Sequence, residues 1–224
     1  MTLTLEEARR RIDSILGGYR RAAGATGRSV LPTAVTSGKT YEAWVLCRVL
    51  EHLHADEGYG VTLVESDLVR LKSAPGPINR RYAHFRLEGG RVPLEVWTDV
   101  EFLALSALVR PPQPRPEQCD YHELDIVVVP AGISDRPRAD QVLIGVECKN
   151  LDYTKDMLRS LLGVRRELSL LRDPQATIFT SWPRAEVPAH PPSCLLAFSS
   201  DPRMMAFARP GDVFGIDFVY EPLP

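Results

Sequence analysis

Two apolar runs near the middle of the chain, each carrying a short acidic cluster, predict a pair of β-strands. The runs are residues 123–129 and 142–150. Successive side chains of a strand point to opposite faces, so Glu123 and Asp125 share one face, and Glu147 and Lys149 share one. If the two strands pair, the carboxylates of Glu123, Asp125 and Glu147 and the ammonium of Lys149 can meet at one place. A half-buried position tolerates such a group when a cation or a substrate balances its charge.

Helical periodicity predicts three amphipathic helices. The first follows Thr4, an N-cap residue succeeded by two glutamates, and is expected to end by Gly24. The strongest helical pattern covers residues 41–54, and its broad apolar surface must pack on a sheet. The third covers residues 152–171 and pairs an apolar side with a cationic one. The cationic side consists of Lys155, Arg159, Arg165, Arg166 and Arg172.

Several further runs predict strands on both sides of the central pair. They are residues 61–65, 92–105, 176–181, 194–199 and 213–220. In the longest of them, alternation puts four side chains on one face: Glu95, Trp97, Asp99 and Glu101. The order of helix, three strands, helix and further strands predicts an α/β sandwich with a mixed sheet.

Composition narrows the classes of protein that fit. The chain has 224 residues, 44% of them hydrophobic, which is enough for one large globular domain. A formal net charge of −2 excludes a uniformly basic coat for nucleic acid. The four cysteines lack zinc-ligand spacing, so free thiols and a cytoplasmic location are expected. No run of about 20 apolar residues predicts a membrane span.

The tetrapeptide Ser-Gly-Lys-Thr at residues 37–40 matches the end of a phosphate-binding loop. The leading glycine of that motif would fall at Thr33, and no apolar strand precedes it. A plain loop leading into the helix is therefore the better interpretation.

Two cationic segments are candidates for contact with nucleic acid. Arg80 and Arg81 lie among aromatic residues, and Lys155 and Arg159 begin the third predicted helix. Cations interleaved with aromatic rings suit a nucleic-acid backbone and its bases. The same pattern equally fits an exposed strand edge or a solvated helix face, and the alternatives stay open.

The central motif resembles the signature of the PD-(D/E)XK nucleases, which have a restriction-endonuclease-like fold. Asp125 lies on the first strand, and Glu147, Cys148 and Lys149 follow on the second. The resemblance covers roughly residues 39–199, with the strand after the third helix assigned to residues 176–181. Glu42 matches a glutamate that many members carry on the first core helix. The chain departs from the pattern at Leu124, where the family often has proline.

The resemblance implies a restriction-endonuclease-like α/β sandwich, with a central mixed sheet flanked by helices. Residues 1–38 would form an N-terminal extension and residues 39–224 the nuclease-like domain. It also implies a site for Mg²⁺, with Mn²⁺ as a substitute, because hard oxygen ligands suit these ions. Asp125, Glu147 and the backbone carbonyl of Cys148 are the expected metal ligands.

Residues near the expected metal ligands are assigned supporting roles. Lys149 would orient or deprotonate the attacking water, with a pKa lowered by the metal. Glu42 would hold a metal-bound water or a second cation, and Glu123 is an auxiliary carboxylate or a solvated one. His122 points away from Asp125 along the strand, which favours packing over catalysis.

The implied activity is Mg²⁺-dependent endonucleolytic hydrolysis of DNA, in a role such as restriction or anti-phage defence. No base-reading module is evident, so any sequence specificity would come from a partner. The small size and the extra N-terminal helix favour a homodimer or a subunit of a larger complex. Two alternatives remain at this point. One is a catalytically inactive nuclease-like fold that binds nucleic acid or serves as a scaffold, and the other is an RNase on the same fold.

Overall fold

The computed structural model describes residues 4–20, 29–31, 36–65, 68, 70–111 and 115–223. The α-helices are α1 (Leu5–Gly18), α2 (Ser37–Ala55), α3 (Leu105–Val109), α4 (Lys155–Leu168) and α5 (Arg209–Phe214). The strands are β1 (Gly60–Val64), β2 (His84–Glu88), β3 (Leu94–Leu103), β4 (Tyr121–Pro130), β5 (Ile144–Lys149), β6 (Leu170–Ala176), β7 (Glu186–His190), β8 (Cys194–Ser199) and β9 (Ile216–Tyr220).

The main sheet has seven strands in the order β1-β2-β3-β4-β5-β8-β9. Strands β1 to β5 are antiparallel neighbours, and β8 and β9 then continue the sheet in parallel with β5. Strands β6 and β7 form a separate two-stranded sheet. The predicted α/β class with a mixed sheet is confirmed.

Each face of the main sheet carries its own hydrophobic core. On one face, Ile126 and Val128 of β4 pack with α1 and α2. On the other face, Val127 and Val129 pack with residues of α4. Strand β4 is thus buried on both sides, which places its ends beside helices of both layers.

Local sequence signals set the first two helices. Thr4 and Glu7 form a capping box at the start of α1, as the N-cap prediction requires. The helix ends at Gly18 and not at Gly24, which lies outside the described residues. Helix α2 begins after its N-cap Thr36, so its first turn crosses the predicted domain boundary. Buried residues of α1 also share the core of α2, so the extension is packed onto the domain.

The predicted alternation of β3 is wrong beyond Trp97. Asp99 has a φ of +54°, which reverses the direction of the following side chains. Val96 lies in the core beside α2, whereas Val100 lies in the core beside α4, together with Trp97. Glu95, Trp97, Asp99 and Glu101 therefore do not share one face.

The strand expected at residues 176–181 is not present. Strand β6 ends at Ala176 and pairs with β7, and the strand beside β5 is β8. Every residue of β8 is buried, as a central parallel strand requires. Near the C-terminus, α5 precedes β9, so the strand predicted from residue 213 is also shorter than expected.

Arg165 was assigned to the cationic side of the third helix, and this prediction is wrong. Arg165 is buried, with only 3% of its surface exposed to solvent. Arg165 lies four residues after Leu161 and three before Leu168, and both leucines are buried. These spacings put all three on one helical face, the face against the sheet.

The four cysteines are free thiols, as predicted, and three of them are buried. Within the described parts of the chain, no helix has both the length and the apolar character needed to cross a membrane.

Glu57 connects the end of α2 to the loop before β7. Its carboxylate accepts backbone N–H bonds from Thr180 (2.7 Å), Ser181 (2.5 Å) and Trp182 (2.8 Å). Burial raises the pKa of Glu57, but these hydrogen bonds outweigh it and bring the pKa to about 2. The carboxylate form is therefore the one that the fold stabilises.

Replacing Glu57 by glutamine is expected to destabilise the protein by about 1–2 kcal/mol at pH 6, after allowance for solvent screening. Because the folded pKa is depressed, this contribution is complete above the unfolded pKa. It declines as the pH falls from about 5 and vanishes below the folded value of about 2. Urea unfolding of wild type and Glu57→Gln at several pH values measures it. Glu186→Gln, at an exposed carboxylate, is the control, and a pH-independent difference would contradict this role.

Candidate active site

The candidate site lies where β4 and β5 separate. Their pairing runs from Val128↔Ile144 to Ile126↔Val146 and stops there. In the gap that follows, Asp125 Oδ2 accepts a hydrogen bond from the backbone N–H of Cys148 at 2.6 Å. This bond holds the Asp125 carboxylate between the two strands, next to Glu147.

Glu147 and Lys149 point to the same side of β5, as the two-residue period predicts. Lys149 Nζ donates to Glu147 Oε2 at 2.9 Å, and the two line a small cleft beside α4 with Tyr153 and Met157. Burial raises the pKa of Glu147, and the negative charge of Asp125 raises it further. Glu147 thus lies in a region with an excess of negative charge.

Cys148 points away from this cleft, as predicted. Its side chain is 8% exposed and belongs to the core beside α2. Burial raises the pKa of its thiol well above the usual value. The residue therefore faces the site only through its backbone.

Glu42 approaches Asp125 from the opposite side of the sheet. It lies in the second turn of α2, and its side chain is 17% exposed. Burial and then the charge of Asp125 raise the pKa of Glu42 to about 7. Because Asp125 acts on both Glu42 and Glu147, it is the central carboxylate of the group.

Lys39 and Asp99 were missed in the sequence and lie beside Glu42. Lys39 Nζ donates to Glu42 Oε2 at 2.6 Å and also to Asp99 Oδ1. Burial lowers the pKa of Lys39, but the bonds to these two carboxylates outweigh it and raise the pKa. The spacing of Lys39 and Glu42 in a helix is a signal for their pairing. Asp99 carries no comparable signal, because Glu95, Thr98 and Glu101 of the same strand are polar as well.

The backbone at Asp99 is supported by a second lysine, Lys72, which is buried. Lys72 Nζ donates to the carbonyl oxygens of Asp99 and Gly76. Burial lowers the pKa of Lys72. Left-handed backbone at a non-glycine residue persists only where the surroundings impose it. Lys39 and Lys72 do so here, through the side chain and the carbonyl of Asp99.

Glu123 and His122 occupy the positions expected for secondary residues. Burial, followed by the charges of Asp99 and Asp125, raises the pKa of Glu123. The ring centroids of His122 and Phe102 are 6.0 Å apart, and the two ring planes make an angle of 38°. Glu123 therefore adds to the negative group, whereas His122 packs beside an aromatic residue.

The lowered pKa expected for Lys149 beside a bound metal stays a prediction, and the protein alone shows a different balance of effects. Burial lowers its pKa, but the charges of Glu147 and Asp125 outweigh that effect, and its pKa is raised. The lysine is therefore a cation in the protein alone. In this state it balances negative charge and has no free electron pair with which to accept a proton.

The donor set of the site suits a hard divalent cation. Asp125 and Glu147 supply carboxylate oxygens, and Mg²⁺ typically takes one or two carboxylates and keeps several waters. Across the described ranges, no group of three or more His, Cys, Asp and Glu side chains is already arranged around a metal position. Burial and the charge of Asp125 raise the pKa of Glu147, which indicates a place where positive charge is favourable.

The four predicted nucleic-acid contacts lie in different settings. Lys155 and Arg159 are exposed on α4, and Arg159 Nη1 pairs with Asp156 at 2.7 Å. Arg81 is exposed as well. Arg80 instead makes a bidentate pair with Glu95, at 3.1 and 2.9 Å. The guanidinium of Arg80 is thus already occupied by a carboxylate of β3.

Comparisons of this chain with protein-family models, with curated proteins and with solved structures found no match.

Proposed function

We propose that this protein is a Mg²⁺-dependent nuclease that hydrolyses DNA phosphodiesters on a restriction-endonuclease-like fold. The observation that carries the proposal is the convergence at the β4–β5 gap. Burial and then the charge of Asp125 raise the pKa of Glu42 on one side and of Glu147 on the other, and Lys149 pairs with Glu147. Such a group of charges is costly unless it binds an ion or a substrate.

The order of elements supports the same proposal. Helix α2, the antiparallel strands β3 to β5, helix α4 and the parallel strand β8 follow the order that the resemblance implies. The strand after α4 is supplied by β8, with the β6–β7 pair inserted before it. This order places the acidic residues of β4 and β5 between a helix on each face.

Asp125, Glu147 and the carbonyl of Cys148 would hold the metal. When bound, Mg²⁺ would supply Lewis-acid activation of the scissile phosphate and of a water. The hydrogen bond from the Cys148 N–H orients the Asp125 carboxylate toward Glu147. Glu42, whose pKa is raised to about 7, lies where it can accept a hydrogen bond from a water on the α2 side.

Lys149 is assigned to charge stabilisation. Its ammonium would neutralise negative charge on the phosphate and orient the attacking water. Lys155 and Arg159 lie on the helix that flanks this cleft and would contact the phosphate backbone. A role in restriction or anti-phage defence, in a homodimer or a larger complex, remains part of the proposal.

Cleavage of plasmid and linear DNA is expected to require Mg²⁺, to stop with EDTA, and to return when excess Mg²⁺ or Mn²⁺ is added. The measurement is gel analysis of supercoiled, nicked and linear products over time. Asp125→Asn is expected to remove activity, whereas Glu186→Gln, at an exposed carboxylate, should retain it. Cleavage of RNA alone would indicate the RNase alternative. EDTA-resistant cleavage, or no cleavage of either nucleic acid, would contradict the proposal.

A further inference from the structure

A cavity of about 250 Å³ lies between α4, the β6–β7 pair and α5. It shares no lining residue with the cleft beside Glu147. Most of its wall is apolar and consists of Leu162, Leu170, Leu171, Pro188, Ala189 and Phe214. Two of these residues at its mouth are partly exposed, Leu171 at 51% and Phe214 at 37%. The cavity is therefore an apolar space open to solvent.

A buried guanidinium lines this apolar cavity. Arg165 is 3% exposed, and its nitrogens donate to Ser193 O at 2.8 Å, to Ser193 Oγ at 3.1 Å and to Ser169 Oγ. All of these acceptors are neutral, and no carboxylate among the described residues pairs with Arg165. Burial lowers its pKa to about 10.

A second cation lies next to the first. Arg166 also lines the cavity, is exposed, and forms no ion pair with the part of the chain that the structure describes. A buried positive charge without a counter-ion is costly, and a second positive charge on the wall of the same cavity adds to that cost. An anion at this position would remove both costs and gain charge-assisted hydrogen bonds.

We propose that this cavity binds a small organic carboxylate with a compact apolar body. The carboxylate would lie between Arg165 and Arg166, and the apolar body would contact Leu162, Leu170 and Phe214. Its volume is below the roughly 300–1,000 Å³ of cavities for drug-sized ligands, which favours a compact molecule. The mainly apolar wall disfavours a sugar phosphate, whose hydroxyl groups would lack partners. The inference does not depend on the proposed nuclease activity.

Calorimetric titration with 3-phenylpropionate and with its neutral amide tests the proposal. The acid is expected to bind at least about tenfold more tightly than the amide, the difference that one charge-assisted contact of about 1.4 kcal/mol produces. Arg166→Gln should reduce this preference for the acid about tenfold. Arg172→Gln, at an exposed arginine outside the cavity, should leave it unchanged.

A second variant tests the location without removing a charge. Leu162→Trp, at a partly buried position of the cavity wall, narrows the cavity and should abolish binding of both compounds, while circular dichroism reports on the fold. Equal affinity for acid and amide, full binding by Arg166→Gln, or no heat with the acid up to about 10 mM would overturn the proposal. So would a doubled mass in sedimentation that is lost in Leu171→Glu, because a second copy would then cover the mouth.

Discussion

Replacing Lys149 by methionine is expected to lower kcat for DNA cleavage by about 10²–10³-fold, while the protein stays folded. Methionine keeps most of the length of the side chain and removes its positive charge. The phosphate would then lose the ammonium beside Glu147, and the carboxylates of Glu147 and Asp125 would lose the cation that balances them. Initial rates on plasmid DNA at saturating Mg²⁺ measure the effect.

Lys155→Met is the matched control for this variant, because it removes the same charge from an exposed position on α4. A contact with the phosphate backbone affects binding more than chemistry, so we expect a higher KM with kcat largely retained. We also expect its effect to shrink as salt is raised. Unchanged kcat in Lys149→Met, or equal effects of the two substitutions on kcat, would contradict the role assigned to Lys149.

Replacing Arg80 by methionine is expected to destabilise the protein by roughly 2–3 kcal/mol. Glu95 is 5% exposed as a side chain, and Arg80 is its bidentate partner. Burial raises the pKa of Glu95, but the bonds from Arg80 and Trp97 outweigh it and lower the pKa. Loss of one partner of a fully buried pair costs about 3–5 kcal/mol. The cost is smaller here, because the Arg80 side chain is 43% exposed and solvent screens it.

Chemical unfolding of three variants separates this role from nucleic-acid binding. Arg80→Met alone should lower the free energy of unfolding, and the double variant with Glu95→Gln should recover much of it, since no unpaired carboxylate remains. Arg91→Gln, at an exposed arginine between β2 and β3, should be nearly neutral for stability. A stable Arg80→Met protein with weakened DNA binding would instead favour the sequence-based interpretation of Arg80 as a contact.

The parts of the site that follow from short-range geometry could be predicted. Glu147 and Lys149 are two residues apart in a strand, and they share a face and a hydrogen bond. Asp125 comes close to them because β4 and β5 are antiparallel neighbours and Asp125 follows the last pair of their ladder. Glu42 came from the resemblance and from the position of its helix. Each of these inferences used only the alternation of side chains along a strand, the pairing of neighbouring strands or the order of helices and strands in the sequence.

The parts that depend on distant partners could not be predicted. The helical spacing of Arg165 from Leu161 and Leu168 indicates a buried face, but the acceptor that makes a buried guanidinium tolerable, Ser193, is 28 residues away in sequence. Arg80 looked like a nucleic-acid contact, because Glu95 joins it only after β3 has formed. The strand beside β5 was assigned to residues 176–181, since both that run and β8 are apolar. Burial on both faces distinguishes β8, and it is a property of the assembled sheet.

The left-handed residue in β3 has a consequence for how this chain compares with others. Val96 and Val100 are four residues apart, yet they belong to opposite hydrophobic layers. A pattern of period two read along β3 therefore changes phase at Asp99. Consider two related sequences in which this phase change falls at positions that differ by one residue. Their folds would be the same, but the apolar positions of one strand would not align with those of the other. Alignments that score hydrophobic alternation would then break in the strand that carries Asp99 toward the site.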